Sequence, residues 1–325
     1  MSASKFKNMD FSRYDKIFIL CDETVAAFWL PEFAHNYGLK KTTDIVIKGG
    51  EKSKTLRTVE KIWKTFVKHE ADSNSLLINL GGGVVCDIGG FAASCYQRGI
   101  DFVNVPTTLL AMVDAAVGGK NGINFKGIKN KIGSVNFPKE VIIDKLWLST
   151  LDERNIRSGI GEMLKYGLIA DKTMLNINVD NYSDYIEKAI SIKNEIVSRD
   201  ANDRGVRKIL NFGHTIGHAL EAVRIEEGVE TTHGECVAFG MLCALRMSHD
   251  ILGLSEDVIK RYEKAYKSNC FSECVSSDEI AKIIEKIHQD KKNKDGKAMF
   301  VLLEDIEKPV FDIEVPYSDI EHYIY

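Results

Sequence analysis

Five prolines punctuate this 325-residue chain, at positions 31, 106, 138, 309 and 316, and none falls from 139 to 308. Proline lacks a backbone donor and clashes with the preceding turn, so it breaks helix interiors. A stretch this long without one permits a helical array. Residues 155–169, 182–199, 209–223, 235–252, 256–267 and 277–291 all place apolar residues at helical spacing. The chain before residue 150 reads differently. Short apolar runs at 16–20, 44–48, 75–80, 102–105 and 141–144 alternate with helical stretches at about 22–37, 54–69 and 84–97. Strand–helix alternation at that spacing predicts a parallel sheet covered by helices on both faces. The expected fold is therefore an α/β nucleotide-binding domain over 1–150 and an all-α domain over 151–325. Two short runs, 298–303 and 310–315, predict a small hairpin in the tail.

Composition excludes several function classes. The net charge is −4 with basic residues dispersed, which is no nucleic-acid footprint. The longest apolar runs fall far short of a membrane span, and the first residues lack an apolar signal core. Seven cysteines, an odd number, lie mostly in apolar runs (Cys86, Cys95, Cys236, Cys243). That usage predicts reduced thiols in a cytoplasmic protein. Cys270 and Cys274 are four apart, but no second pair completes a zinc knuckle.

Gly81-Gly82-Gly83 follows a predicted strand and opens a predicted helix. Backbone N–H groups and the helix dipole at such a point suit a pyrophosphate. The G-x-G-x-x-G fingerprint is not matched, because Cys86 stands at its last glycine. Asp87 and the pair Gly89-Gly90 favour the nucleotide reading over a plain tight turn. Residues 114–130 interleave glycine and asparagine with Lys120, Lys126 and Lys129. They read as a long, irregular, cationic loop suited to an anionic substrate, with Asp114 at its edge.

Three of the eight histidines fall within twenty residues: His214, His218 and His233. On a helix, positions i and i+4 share a face, so His214 and His218 can point into one cavity. That spacing suits a metal ion or paired proton transfer. The helical zinc-protease signature is not matched, since Thr215 stands where it needs Glu. Glu162 and Lys165, at i and i+3, would ordinarily be a surface ion pair, but their apolar neighbours favour a partly buried acid. One Glu with two His gives a mixed zinc site with an open position. Lys193 and Arg207 flank the histidine segment.

Taken in order, GGGVVCDIGGFAAS, RGIDFVNVPTTLLAMVDAAVGGKNGIN, GIKNKIG, SGIGEMLKYG, RKILNFGHTIGHALE and HGECVAFGM resemble the 3-dehydroquinate synthases. The resemblance spans roughly residues 15–305. It implies a nucleotide-binding α/β domain followed by an α-helical metal-binding domain, with NAD and a divalent metal, zinc or alternatively cobalt. The implied metal ligands are Glu162, His214 and His233, which moves His218 to the substrate side. The implied NAD-contacting positions are Asp22, Glu51, Lys54, Gly82, Gly83, Asp87, Thr107, Thr108 and Thr150, with Lys120 and Lys129 reaching both cofactor and substrate. Asp114, Asn130, Lys165, Lys193, Arg207, Asn211, His218 and Lys292 (or its neighbour Lys291) would serve the substrate. Arg98 would reach the phosphate from the neighbouring subunit of a homodimer. The implied activity is that of a phosphate-eliminating lyase of aromatic amino-acid biosynthesis, acting on a small anionic sugar phosphate, with no nucleic-acid or membrane partner. One position departs from the family pattern: the shorter Asp203 stands where its members commonly carry Glu.

Overall fold

The computed structural model describes residues 11–126, 128–272, 275–289 and 297–324. The chain divides into two compact units, Met1–Asp152 and Glu153–Tyr325. The first contains β1 (Lys16–Asp22), α1 (Glu23–Phe28), α2 (Leu30–Asn36), β2 (Thr42–Ile47), α3 (Leu56–Lys68), β3 (Ser75–Gly81), α4 (Gly83–Cys95), β4 (Asp101–Pro106), β5 (Lys120–Phe125), β6 (Ile128–Val135) and β7 (Glu140–Val141).

Five of these strands form a sheet in the order β2-β1-β3-β4-β7, every pair parallel. Central β3 is buried along its whole length, which is why Ser-Leu-Leu-Ile-Asn-Leu shows no alternation. Helix α3 turns Val59, Ile62 and Phe66 inward at three- and four-residue spacing. They meet Phe18, Leu20, Leu77, Ile88 and Phe102 in one core. Burying each such side chain contributes about 1.5–3 kcal/mol, before conformational entropy is set against it.

The helix expected over 22–37 is two helices. The chain breaks at Trp29, and Pro31 sits in the first turn of α2, where a missing donor costs nothing. The indole of Trp29 donates to Thr150 Oγ1 at 2.9 Å and packs edge-on against Trp147. The irregular loop expected over 114–130 is another difference. A short π-helical turn, Ala111–Ala115, leads into an antiparallel hairpin of β5 and β6. Glycine misled the reading there. Gly122 and Gly133 face each other across the hairpin, and a Cβ on Gly133 would lie 2.3 Å from the carbonyl oxygen of Asn121. They are strand glycines at a close backbone approach.

The second unit contains α5 (Glu153–Ile169), α6 (Ile186–Arg199), α7 (His214–Glu227), α8 (His233–Leu252), α9 (Glu256–Ser268), α10 (Ser277–Gln289), β8 (Lys297–Asp305), β9 (Lys308–Pro316) and α11 (Tyr317–Ile324). The β8–β9 hairpin is antiparallel and falls where the tail runs indicated. Helix α11 was not anticipated. Helix α8 is apolar on almost every side and runs through the interior. Its neighbours approach it at glycines. A Cβ on Gly161 of α5 would stand 2.5 Å from the carbonyl oxygen of Gly234, and one on Gly234 would stand 1.9 Å from that of Ser158. A Cβ on Gly240 would come 2.0 Å from the carbonyl oxygen of Gly213, and one on Gly217 3.0 Å from that of Cys236. Helices α5 and α7 thus touch α8 backbone to backbone. Among the described residues no helix is long and apolar enough to cross a membrane.

Candidate functional site

Four of those five glycines neighbour a candidate side chain in sequence: Gly161-Glu162, Gly213-His214, Gly217-His218 and His233-Gly234. Close helix contact therefore carries the four candidates toward one point. Helix α7 begins at His214, later than the helical spacing suggested, because residues 206–211 form a 3-10 turn and Gly213 then adopts a left-handed φ of 78°. Helix α8 begins at His233 behind a capping box in which Thr232 and Glu235 satisfy each other's backbone donors.

Glu162 is fully buried, and its two oxygens have different surroundings. Oε2 accepts from the buried Lys165 ammonium. Oε1 lies 3.1 Å from His214 Nε2 and 3.3 Å from His233 Nε2, yet no aligned hydrogen bond reaches it. His214 Nδ1 stands 3.0 Å from the carbonyl oxygen of Phe212, which can only accept, so Nδ1 carries a proton and, in the neutral ring, Nε2 carries the lone pair. His233 Nδ1 stands 3.2 Å from Glu221 Oε2 and likewise donates. With both rings neutral, two imidazole lone pairs and one carboxylate oxygen converge, and a positive charge, either a metal ion or a ring proton, relieves such a contact. In a tetrahedral zinc site with bonds of 2.0–2.2 Å, donors stand about 3.3 Å apart. The donor set and its spacing fit a divalent transition metal.

Electrostatics agree. Burial alone would raise the Glu162 pKa, but Lys165 and the two histidines hold it well below the usual carboxylate range. Burial alone would lower that of His233, but Glu162 and Glu221 push it up to about 10. A proton on His233 takes the place of the positive charge the carboxylates call for.

The ring of His218 lies 5.0 Å from that of His214 and 5.5 Å from that of His233. All three histidines bring one ring nitrogen within 4.8 Å of the others. Yet His218 is exposed whereas His214 is buried, and it is His214 and His233 whose Nε2 atoms lie within 3.3 Å of Glu162 Oε1. Lys193 on α6 and Arg207 on the 3-10 turn are buried cations of the same unit. Asp200 ends α6 and accepts from the backbone N–H groups of Arg204, Gly205 and Arg207, while the Arg207 guanidinium donates to the carbonyl oxygen of Ala201 at 2.7 Å. Asp203, in that turn, takes a left-handed φ of 56°. Asn211 closes the 3-10 turn ahead of His214. Lys291 and Lys292 lie outside the described residues.

In the first unit, β1 has β2 on one side and β3 on the other, so the strand order reverses there. Open α/β sheets bind ligands outside the carboxyl ends of the strands at such a point. Asp22 stands at the end of β1, where it caps α1 by accepting from Val25 N–H at 2.9 Å. Gly81 ends β3, and Gly82 is the N-cap of α4. Thr107 and Thr108 follow β4, and Thr107 N–H donates to the carbonyl oxygen of Gly81 at 3.0 Å. A Cβ on Gly82 would press on Thr108 at 3.1 Å. Lys54 is buried, its ammonium donating to both Asp87 and Asn130. Glu51 accepts from the Asn124 side chain at 2.8 Å, which ties the Glu51 segment to the hairpin. Lys120 and Lys129 lie on that hairpin, Asp114 in the turn before it, Thr150 under Trp29, and Arg98 exposed on the tight turn after α4.

Two expectations change. Gly89 and Gly90 serve packing: a Cβ on Gly89 would fall 1.8 Å from Asn79 Oδ1, and one on Gly90 1.9 Å from Asn121 Oδ1. Glu221 had escaped notice, although its place seven residues after His214 put it on the same helix face.

Comparisons with known proteins give a consistent result. Residues 44–158 match the family model for the 3-dehydroquinate synthase N-terminal region, and residues 159–293 the one for its C-terminal region. A 3-dehydroquinate synthase of Clostridium tetani is 39% identical over 326 residues, covering 97% of this chain and 86% of that protein. One from Listeria monocytogenes is 38% identical over 311 residues, covering 92% and 84%. Among solved structures, a 2-deoxy-scyllo-inosose synthase complexed with carbaglucose-6-phosphate, NAD+ and Co2+ has the same fold, with a TM-score of 0.89, 24% identity, and coverage of 99% of this chain and 93% of that one. A 2-epi-5-epi-valiolone synthase of Streptomyces hygroscopicus with NAD+ and Zn2+ bound superposes at a TM-score of 0.86, with 24% identity and coverage of 98% and 93%.

Proposed function

The chain belongs to the 3-dehydroquinate synthase family, and on that premise we propose how its residues divide the work of converting 3-deoxy-D-arabino-heptulosonate 7-phosphate into 3-dehydroquinate and phosphate. The reaction proceeds by transient oxidation, phosphate elimination, reduction and intramolecular aldol closure. It is a carbon–oxygen lyase reaction of the shikimate pathway, and the cofactor is regenerated in each turnover. The observation that carries the assignment of roles is the buried Glu162 oxygen facing Nε2 of both His214 and His233.

On this reading the metal ion is held by Glu162, His214 and His233, and NAD by the first unit. The NAD contacts come from Asp22, Glu51, Lys54, Gly82, Gly83, Asp87, Thr107, Thr108, Lys120, Lys129 and Thr150. When bound, NAD supplies a reversible hydride acceptor, and the metal ion makes a substrate hydroxyl easier to ionise. Lys165 fixes the ligating carboxylate by occupying its second oxygen. Lys193 and Arg207 answer the substrate carboxylate, and the buried setting of both strengthens that recognition. His218, exposed beside the metal ligands, moves protons at the substrate hydroxyls, with Asn211 ahead of it on the same segment. Asp114, Lys120, Asn130 and Lys292 complete the contacts to the substrate, and Arg98 meets the phosphate across a homodimer. We place the enzyme in the cytoplasm, in keeping with the free thiols of Cys21, Cys86, Cys95, Cys236 and Cys270.

The inosose and valiolone synthases share the fold, and the buried Lys193 and Arg207 favour a carboxylate-bearing substrate and so the heptulosonate phosphate. The test offers purified protein, NAD and Zn2+ either the heptulosonate phosphate or sedoheptulose 7-phosphate, and follows phosphate release. Release from the first with flat NADH absorbance is expected. Turnover of the second alone would sink the reading, and NADH accumulating with product would point to a dehydrogenase.

A further inference from the structure

Glu221 belongs to none of the roles above. It lies on α7 at the third position of the series His214, His218, Glu221, so all three project from one helix face. Its carboxylate is buried, with Oε2 3.2 Å from His233 Nδ1 on the neighbouring α8. A buried carboxylate needs a partner that justifies its desolvation. One such partner is the ring nitrogen of a candidate metal ligand that points away from Glu162. The two carboxylates thus grip opposite ends of one imidazole, Glu162 at Nε2 and Glu221 at Nδ1.

We infer that Glu221 is a positioning residue for the metal centre: by accepting from Nδ1–H of His233 it fixes the ring's tautomer and orientation, so that Nε2 presents its lone pair to the ion. The inference rests on the metal reading given above. Its chemistry is general, since a ligating imidazole becomes a stronger and better-aimed donor when its other nitrogen donates to a carboxylate. His214 is served differently, by the backbone carbonyl of Phe212. The two histidine ligands therefore differ in basicity, His233 being the more electron-rich.

The test compares the full chain with Glu221→Met, which keeps length but removes the acceptor, and Glu221→Gln, which restores an acceptor without charge. Each is titrated with Co2+ against a competing chelator. Glu221→Met should bind about ten- to a hundred-fold more weakly, the range for loss of such a partner, and Glu221→Gln should recover part of the loss. In the zinc-loaded wild-type protein, long-range proton–nitrogen NMR should show His233 protonated at Nδ1, with the metal on Nε2. That assignment is read without any variant, so it holds even if Glu221→Met fails to fold. Equal affinities in the Met variant and wild type, equal losses in both variants, or metal on Nδ1 would each overturn the inference. If the wild type binds no Co2+, the metal reading itself falls, and the wild-type titration alone shows this.

Discussion

His214 Nε2 stands 3.1 Å from Glu162 Oε1, and with Nδ1 donating to the Phe212 carbonyl oxygen the neutral ring turns its Nε2 lone pair toward that carboxylate. Two acceptors that close repel each other unless a cation lies between them. Replacing either side should empty the metal site. Glu162→Gln and His214→Ala should each weaken Zn2+ binding by more than about a hundred-fold, beyond what outer-sphere partners contribute. Elemental analysis after desalting checks this, and a full equivalent of zinc in either variant would refute the ligand assignment.

The Gly234 position tests the helix contact. A Cβ there would meet the Ser158 carbonyl oxygen at 1.9 Å, so Gly234→Ala must push α5 and α8 apart. Overpacking of this kind costs about 1–3 kcal/mol. The variant should unfold at lower urea and lose zinc affinity together, although no ligand has been touched. A destabilised variant with wild-type zinc affinity would mean that the helix spacing does not set the site.

Lys54 offers a handle on the nucleotide side. Its ammonium is buried between Asp87 and Asn130. In Lys54→Met, Asp87 loses its counter-charge, and burial already raises its pKa. NAD affinity should fall about ten-fold or more, the effect of losing a charge-assisted hydrogen bond of roughly 1.5–3 kcal/mol. Zinc content should stay at one equivalent. Fluorescence titration with NAD reads the first quantity; an unchanged dissociation constant would remove Lys54 from the cofactor site.

Glu235 gives a pH-dependent signature. It closes the capping box at the start of α8 and pairs with Arg154 at 2.8 Å. Burial works to raise its pKa, but Arg154 and the Thr232 N–H lower it overall. A depressed folded-state pKa means that the stabilisation is present above the unfolded value, about 4.3, and is lost as pH falls through the folded value. Glu235→Gln should therefore destabilise the protein by about 1 kcal/mol at pH 7, with the gap closing below about pH 4. Urea midpoints at the two pH values decide it; a gap that stays constant would show that the charge of Glu235 contributes nothing.

Much of this fold was legible because the signals were local. Ser75–Gly81 is buried throughout and reads as an unbroken apolar run, and the glycines after it mark the strand-to-helix turn. The helical array followed from periodicity and the absence of proline. The misreadings came where one residue type serves two purposes. Gly122 and Gly133 read as loop but are strand residues pressed together across a hairpin. Gly89 and Gly90 favour a nucleotide site in the sequence, but in the structure their own task is to make room for Asn79 and Asn121. Glu221 was invisible because its partner, His233, lies on another helix. The series from His214 through His218 to Glu221 carried the hint, yet spacing says which side chains share a face and not what that face meets.

Glycines adjoining Glu162, His214, His218 and His233 let three main chains touch, and this has a consequence for ion selectivity. Where side chains alone set the distance between ligands, a rotamer change can widen a site. Here the anchoring backbones are already in contact, and packed interiors compress and expand little. On the proposed ligand set, the aperture would then be fixed by peptide dimensions, suiting an ion with bonds of 2.0–2.2 Å over calcium, which needs 2.3–2.6 Å and more oxygen donors. Mutational intolerance at Gly161, Gly213, Gly217 and Gly234 should accordingly rival that of the ligands, although none of these glycines has a side chain to offer the metal.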